Sequence, residues 1–264
     1  MRQATRLLAA YDTELRPAEL TRPEPGLRLS TDGPLTRLTG GRRGLVAGPP
    51  DLGVHGADLE SLIARQCAFF AARGEEFEWK TRGHDRPADL PERLLAAGFT
   101  AEPTETVLIA PAEAIAATTP PDDGVRVREA SGPDDLLRIA TLSARVFGHD
   151  EAAVAADLLA RARADTGITT HVVAEVDGRF VSAARLELVP GTGFAGLWGG
   201  ATLPGWRGRG LYRALVAHRV RVARAHGVRY LLVDALPTSR PILQRLGFVA
   251  VTTTTPYARL PISR

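Results

Sequence analysis

The sequence predicts a mixed α/β fold, an α+β arrangement in which helices cover mixed sheets, built from two related halves. Three observations carry this. The segment 94–101, Leu-Leu-Ala-Ala-Gly-Phe-Thr-Ala, is echoed by 243–250, Leu-Gln-Arg-Leu-Gly-Phe-Val-Ala, and internal self-similarity points to duplicated architecture. Upstream of each Gly-Phe the same order recurs: an apolar-periodic helix, a glycine, then a strand. Finally, Asp177-Gly178 separates two apolar runs, a strong short-range hairpin signal.

In the first half, Leu59, Leu62, Ile63, Gln66 and Phe70 keep helical spacing up to Gly74, after which 76–79 alternates as a strand. Residues 111–124 are rich in Ala, Thr, Pro and Asp and close on Pro-Pro-Asp-Asp-Gly, the composition of a linker. The second half opens with a strand near 125–128. A helix follows over 133–147, where Leu136, Leu137, Ile139, Ala140, Ser143 and Ala144 stack on one face, and another over about 151–164. Strands are expected at 171–176, 180–188 and 194–202, then a helix marked by Leu211, Leu215 and Val222, a strand at 228–233 and a short helix at 239–245. The second half therefore reads βααβββαβαβ. The expected domains are 1–115 and 125–264, joined by a linker at 116–124.

Composition narrows the chemistry. The 264 residues, 44% apolar, are enough for two small cores. Thirty-three basic against 30 acidic residues leave a formal charge of only +3, so a nucleic-acid partner is not expected. Lys80 is the only lysine. It lies in no phosphate loop, Schiff-base or Ser-x-x-Lys context, which removes those classes. Cys67 is the only cysteine, so an intramolecular disulfide and a cysteine zinc site are excluded, and its setting in a helix favours burial. The scattered histidines form no His-Glu-x-x-His, and no metal is expected. The absence of any long apolar run argues against a membrane partner and makes a cytoplasmic location the expectation.

The informative segment is 202–215, Thr-Leu-Pro-Gly-Trp-Arg-Gly-Arg-Gly-Leu-Tyr-Arg-Ala-Leu, which leaves a strand and enters a helix. Glycines there let main-chain N–H groups converge at the positive end of the helix, a geometry suited to a phosphate or pyrophosphate. A Gly-x-Gly-x-x-Gly dinucleotide fingerprint fails because position 213 is Arg. The segment 203–210 resembles instead the acyl-CoA pyrophosphate loop of the GCN5-related N-acetyltransferases (GNAT family), whose pattern is Arg/Gln-x-x-Gly-x-Gly/Ala. Arg207 and Gly210 fill its first two fixed positions, and Tyr212 stands where the family usually has Gly or Ala. The later strand ending at Asp234, the helix 239–245 and Leu246-Gly247-Phe248 also match, so the resemblance covers about 125–260.

This resemblance implies a tandem GNAT-like acyl-CoA N-acyltransferase fold: a complete domain in the second half and a degenerate copy in the first, which has no equivalent loop. In the first half the corresponding segment 51–58 reads Asp-Leu-Gly-Val-His-Gly-Ala-Asp, without the arginine and with acidic residues that would repel a pyrophosphate. The resemblance further implies acetyl-CoA as cosubstrate, its pantetheine arm entering between strands 194–202 and 228–234. Main-chain groups of Ala201, Thr202 and Leu203 would meet that arm, those of Arg207, Gly208, Arg209, Gly210, Leu211 and Tyr212 would meet the pyrophosphate, and Ser239 would touch the arm. The expected reaction is N-acetylation of a small-molecule primary amine. The alternatives are a non-catalytic acyl-CoA sensor and a protein or tRNA acetyltransferase; a homodimer stays open.

The family's usual glutamate is missing from strand 194–202, and its usual tyrosine acid is Leu243 here. Glu187 and Asp234 are the candidate bases, with Glu187 favoured if it faces the cleft, and Tyr212 is a candidate donor. Glu75, Glu76, Glu78, Trp79, His84 and Asp85 of the first half are a candidate wall for a cationic substrate, weighed against a solvated strand edge.

Overall fold

The structure, a computed structural model, describes residues 2–19, 26–41, 43–115 and 124–260. In chain order the helices are α1 (Arg2–Ala10), running through a π-helical stretch at Tyr11–Leu15 into α2 (Arg16–Glu19), α3 (Gly56–Arg73), α4 (Leu90–Ala96), α5 (Gly132–Phe147), α6 (Glu151–Ala164), α7 (Leu211–Ala225) and α8 (Arg240–Arg245). The strands are β1 (Arg28–Asp32), β2 (Leu35–Thr39), β3 (Gly44–Ala47), β4 (Phe77–Arg82), β5 (Thr100–Ala101), β6 (Glu105–Pro111), β7 (Arg126–Glu129), β8 (Thr169–Val176), β9 (Arg179–Leu188), β10 (Phe194–Thr202), β11 (Tyr230–Ala235) and β12 (Val249–Arg259). The second-half order βααβββαβαβ is thus present. The expected linker lies, but for Gly124, outside the described residues.

Two compact units divide the chain, and they do not follow chain order. One takes residues 1–108, 234–240 and 250–264, the other 109–233 and 241–249. The division differs from domains of 1–115 and 125–264 because β12 hydrogen-bonds along β4, with Trp79 opposite Tyr257. The last strand therefore completes the first unit.

Within the first unit the strands run in the order β1-β2-β3-β4-β12, with β5 on β12. β3 and β4 are parallel over Gly44–Val46 and Phe77–Trp79. Leu35, Val46, Leu59, Leu62, Phe70, Phe77, Trp79 and Phe99 form the core, with Phe70 and Phe77 stacked 4.2 Å apart. Each fully buried side chain of this size contributes about 1.5–3 kcal/mol.

The second unit places β7-β8-β9-β10-β11 side by side. Its helices cover both faces, because β8 and β9 are apolar on both. Val173, Ala183 and Ala201 pack under α5 and α6, whereas Val172, Ala174, Val181 and Ala184 pack under Leu211 and Leu215 of α7. The β8–β9 hairpin turns at Asp177 (φ 46°) and Gly178 (φ 73°), the left-handed pair that a two-residue turn needs. The repeat is local as well as global. Phe99 N–H bonds Leu94 O and Phe248 N–H bonds Leu243 O, each at 3.1 Å, and both leucines are buried.

An ion-pair network pins the start of α5. The Arg128 guanidinium holds Asp135 through Nη1–Oδ2 at 2.5 Å and Nη2–Oδ1 at 3.1 Å, and Ser131 N–H donates to the same carboxylate. These contacts hold the Asp135 carboxyl well below its ordinary range, at about 2. A carboxylate with a depressed folded-state pKa stabilises the fold above its unfolded value and loses that contribution as pH falls through the folded one. Asp135→Asn is therefore expected to lower the melting temperature at pH 7, with the gap to wild type closing between pH 4 and pH 2; thermal melts across that range check it.

Candidate active site

The second unit's site begins where two parallel strands part. β10 and β11 pair only through Phe194–Tyr230, Ala195–Leu231 and Gly196–Leu232, although both strands continue beyond. On its other edge β10 loses register with β9 between Trp198 and Ala201. Gly199 and Gly200 thus have no partner in the β9 register and lie exposed. Peptide groups at such a bulge are available to a ligand lying along the strand.

Ahead of the bulge, Leu203 leads through a single 3₁₀ turn, Pro204–Trp206, to the glycine pair. Gly208 (φ 78°) and Gly210 (φ 77°) are left-handed, which turns successive N–H groups toward one point at the start of α7. That first turn carries no acidic residue, and a Cβ at either glycine would meet nothing within 4 Å. The loop is thus an open, positively polarised concavity of the kind that suits a phosphate or pyrophosphate. Arg209 lies over the Trp206 ring at 4.7 Å, and Arg207 Nε donates to Thr202 O at 3.2 Å.

Not every group expected to meet the pantetheine arm is open to it. Ala201 O already accepts from Ser182 Oγ at 2.8 Å, and Leu203 N–H donates to Val181 O at 3.0 Å. The unmatched peptide groups lie earlier, at the bulge. Tyr212 fills the space that Gly200 vacates: a Cβ there would sit 3.0 Å from the Tyr212 ring. Burial pushes the Tyr212 phenol up, opposed by the charge of Arg219.

Cross-strand register places several polar side chains on one face. Glu187 lies opposite Gly196, Arg185 opposite Trp198, and His171 opposite Arg185. Directly opposed residues project to the same side, the side covered further along by α5 and α6. Glu187 therefore does not point to the α7 face. Its carboxylate, 17% exposed, takes Arg185 Nε at 2.7 Å. The Trp198 indole nitrogen occupies the place that a Cβ on Gly196 would need. His171 and Arg185 carry no motif; only strand alternation, once the register is known, could have singled them out.

Asp234 and Ser239 fall in the first unit. Asp234 Oδ2 pairs with Lys80 Nζ at 3.2 Å, and its Oδ1 is buried without a hydrogen-bond partner. Around them Arg82 bonds Tyr11 and Glu19, and burial pushes the Tyr11 phenol up to about 12. Ser239 Oγ donates to Leu236 O at 3.2 Å.

The first half's candidate wall is not one. Trp79 is core, Glu76 and Glu78 bind Arg43, Glu75 binds Arg73, His84 bridges Asp12 and Thr252, and Asp85 holds Arg16. Nor does β3–β4 leave an opening like that of β10–β11. After Val46 and Trp79 the chains meet again at an Asp51–Arg86 bridge. Arg16, 5% exposed, sits between them, donating to Gly48 O and Asp85 Oδ1, each at 2.7 Å. Cys67 is half-buried, and burial pushes its thiol up. Among the described residues no group of His, Cys, Asp or Glu is placed to hold a metal, and no helix is long and apolar enough to cross a membrane.

The model of the Acetyltransferase (GNAT) family matches residues 135–248. That region is a GNAT domain. Over the whole chain the structure is similar to a GCN5-related N-acetyltransferase from Kribbella flavida, with TM-score 0.69, 18% identity, and 97% of this chain and 94% of that one covered. It is also similar to a tandem GNAT protein from the clavulanic acid biosynthesis pathway, with TM-score 0.65, 14% identity and 94% and 87% covered. A functionally unknown conserved protein from Staphylococcus epidermidis ATCC 12228 aligns at TM-score 0.65 and 13% identity over 92% and 96%. At these identities the likeness establishes the fold, a tandem GNAT fold in which the N-terminal half is GNAT-like as well. No curated protein sequence matches the chain.

Two outcomes follow from this geometry. Gly210→Asp should abolish acetyl-CoA binding in calorimetry while the protein stays folded, because the added carboxylate opposes the pyrophosphate and Asp, though strained at this positive φ, is among the residues that adopt it most often. The same titration of the wild type should give one acetyl-CoA per chain; a stoichiometry of two would mean that Arg16 and the Asp51–Arg86 bridge open.

Proposed function

We propose that this protein transfers the acetyl group of acetyl-CoA to the primary amine of a small molecule, with the chemistry confined to the GNAT domain. The observation that supports it best is the conjunction of the β10–β11 parting, the Gly199–Gly200 bulge and the N-terminal turn of α7 in one continuous segment. In this reading the N–H groups of residues 208–212 hold the pyrophosphate. The bulge main chain holds the arm and polarises the thioester carbonyl, with Thr202 beside it.

An alkylammonium of pKa about 10.4 is protonated at neutral pH, so a base must act. Glu187 is assigned that role, since it projects on the Gly196–Trp198 face and so supplies from β9 the carboxylate that β10 lacks. It takes one proton from the ammonium. The nitrogen lone pair then attacks, the C–N bond forms and the C–S bond breaks with its electron pair on sulfur. One of the two N–H protons left on the adduct passes to the thiolate by way of a phenol that gives sulfur its own proton and takes the adduct's in return, and the low basicity of the thiolate makes a strong acid unnecessary. Tyr212, packed on the bulge, is the donor available there.

Thiol release with an amine separates this function from a non-catalytic acyl-CoA sensor. Glu187→Gln is expected to lower kcat by about 10²-fold or more and to change the pH profile, with acetyl-CoA affinity nearly intact. A larger loss in Asp234→Asn than in Glu187→Gln would move the base to the strand end at Asp234.

A further inference from the structure

The catalytic face also carries information about the acceptor. From β9, Arg185 and Glu187 project side by side, two residues apart, and pair at 2.7 Å with 30% and 17% of their side chains exposed. From β8, His171 stands opposite Arg185, its Nε2 buried and without a hydrogen-bond partner. From β10 come Gly196, with no side chain, and the half-buried ring of Trp198. The other charge acting on His171 is Asp165, whose Oδ1 accepts from the N–H groups of Ile168 and Thr169. The neighbouring β7 end supplies Ala130, whose N–H bonds His171 O.

We infer that the acceptor is a small zwitterion of the α-amino-acid class, its carboxylate bound by Arg185 and its ammonium by Glu187, with His171 Nε2 accepting an N–H of the same nitrogen. This rests on the transferase reading and specifies its second substrate. The reasoning is one of charge matching. A polycation such as a polyamine or aminoglycoside needs a surplus of carboxylates, whereas on this face the Glu187 carboxylate is already paired with the Arg185 guanidinium. An α-amino acid carries both charges about one carbon apart, so it can exchange with the internal pair, each partner leaving one ion for another at no net change in buried charge. Arg185 suits a carboxylate because its fork can bind two oxygens at once. Burial and the Arg185 charge push the His171 imidazole down, so near neutral pH its ring is uncharged and one nitrogen can accept. Trp198 offers an apolar wall beside the amine.

The test compares several α-amino acids with their amides and their decarboxylated amines, adding spermidine and kanamycin, in a thiol-release assay on the full chain with acetyl-CoA. At least one amino acid should exceed its amide and its decarboxylated amine by about 10²-fold in kcat/KM, mostly through KM. Arg185→Gln should collapse that ratio toward one, and Arg185→Lys should retain part of it. Equal turnover of the decarboxylated amines, or preference for spermidine or kanamycin, would overturn the assignment. Calorimetry of the preferred amino acid against CoA-saturated protein supplies a readout without turnover. Binding that depends on Arg185 but yields no thiol supports the site and rejects the transferase reading, whereas absence of binding rejects the site even where another amine is acetylated.

Discussion

Two parallel strands that diverge leave backbone donors and acceptors along both inner edges, and a protein cannot leave such groups buried and unpaired. Each half of this chain contains that divergence and answers it differently. Between β3 and β4 the chain repairs the gap itself, with Arg16 bonding Gly48 O and the Asp51–Arg86 bridge drawing the strands together again. Between β10 and β11 it makes no such repair among the described residues of the second unit, and the bulge at Gly199–Gly200 adds further unmatched peptide groups. The duplicated fold has therefore left one parting of strands open and stoppered its counterpart.

The open slot is shaped by what β10 lacks. Glycines at 196, 199 and 200 leave room that neighbours occupy, Trp198 over the first and Tyr212 against the last. The carboxylate and guanidinium of the face come from β9 instead. Behind them, Arg219 of α7 is 1% exposed and donates from Nη1 to Arg185 O at 3.0 Å and from Nε to Leu215 O at 3.1 Å. No carboxylate pairs with it among the described residues, and burial pushes its guanidinium down to about 10. A buried cation bonded only to carbonyls is costly. Its effect is to fix the backbone of the strand from which Arg185 and Glu187 project.

What could be read from the sequence was local or repeated. The Gly-Phe repeat, the Asp177-Gly178 turn and the glycine pair before α7 each announce their geometry within a few residues. That Glu187 shares a side with Arg185 followed from alternation once a strand was assumed, but which side of the sheet that is did not. Hidden features depended on which distant strands become neighbours. His171 meets Arg185 only through the β8–β9 register. The charged residues around 75–85 read as a possible wall because Arg16, Arg43 and Asp12, which occupy them, lie far away in sequence. The allegiance of β12 was invisible for the same reason, since its pattern fits any half-buried strand.

That allegiance sets the order in which the protein can be finished during synthesis. β4 ends at Arg82, but the strand that hydrogen-bonds along its edge ends at Arg259. At about 5–20 residues per second, ribosomal elongation leaves that edge without its partner for on the order of ten seconds. An unpaired edge is a template for pairing with other chains. The half made first is thus the last to close, and the nascent chain has to shield β4 until its own C-terminal strand arrives.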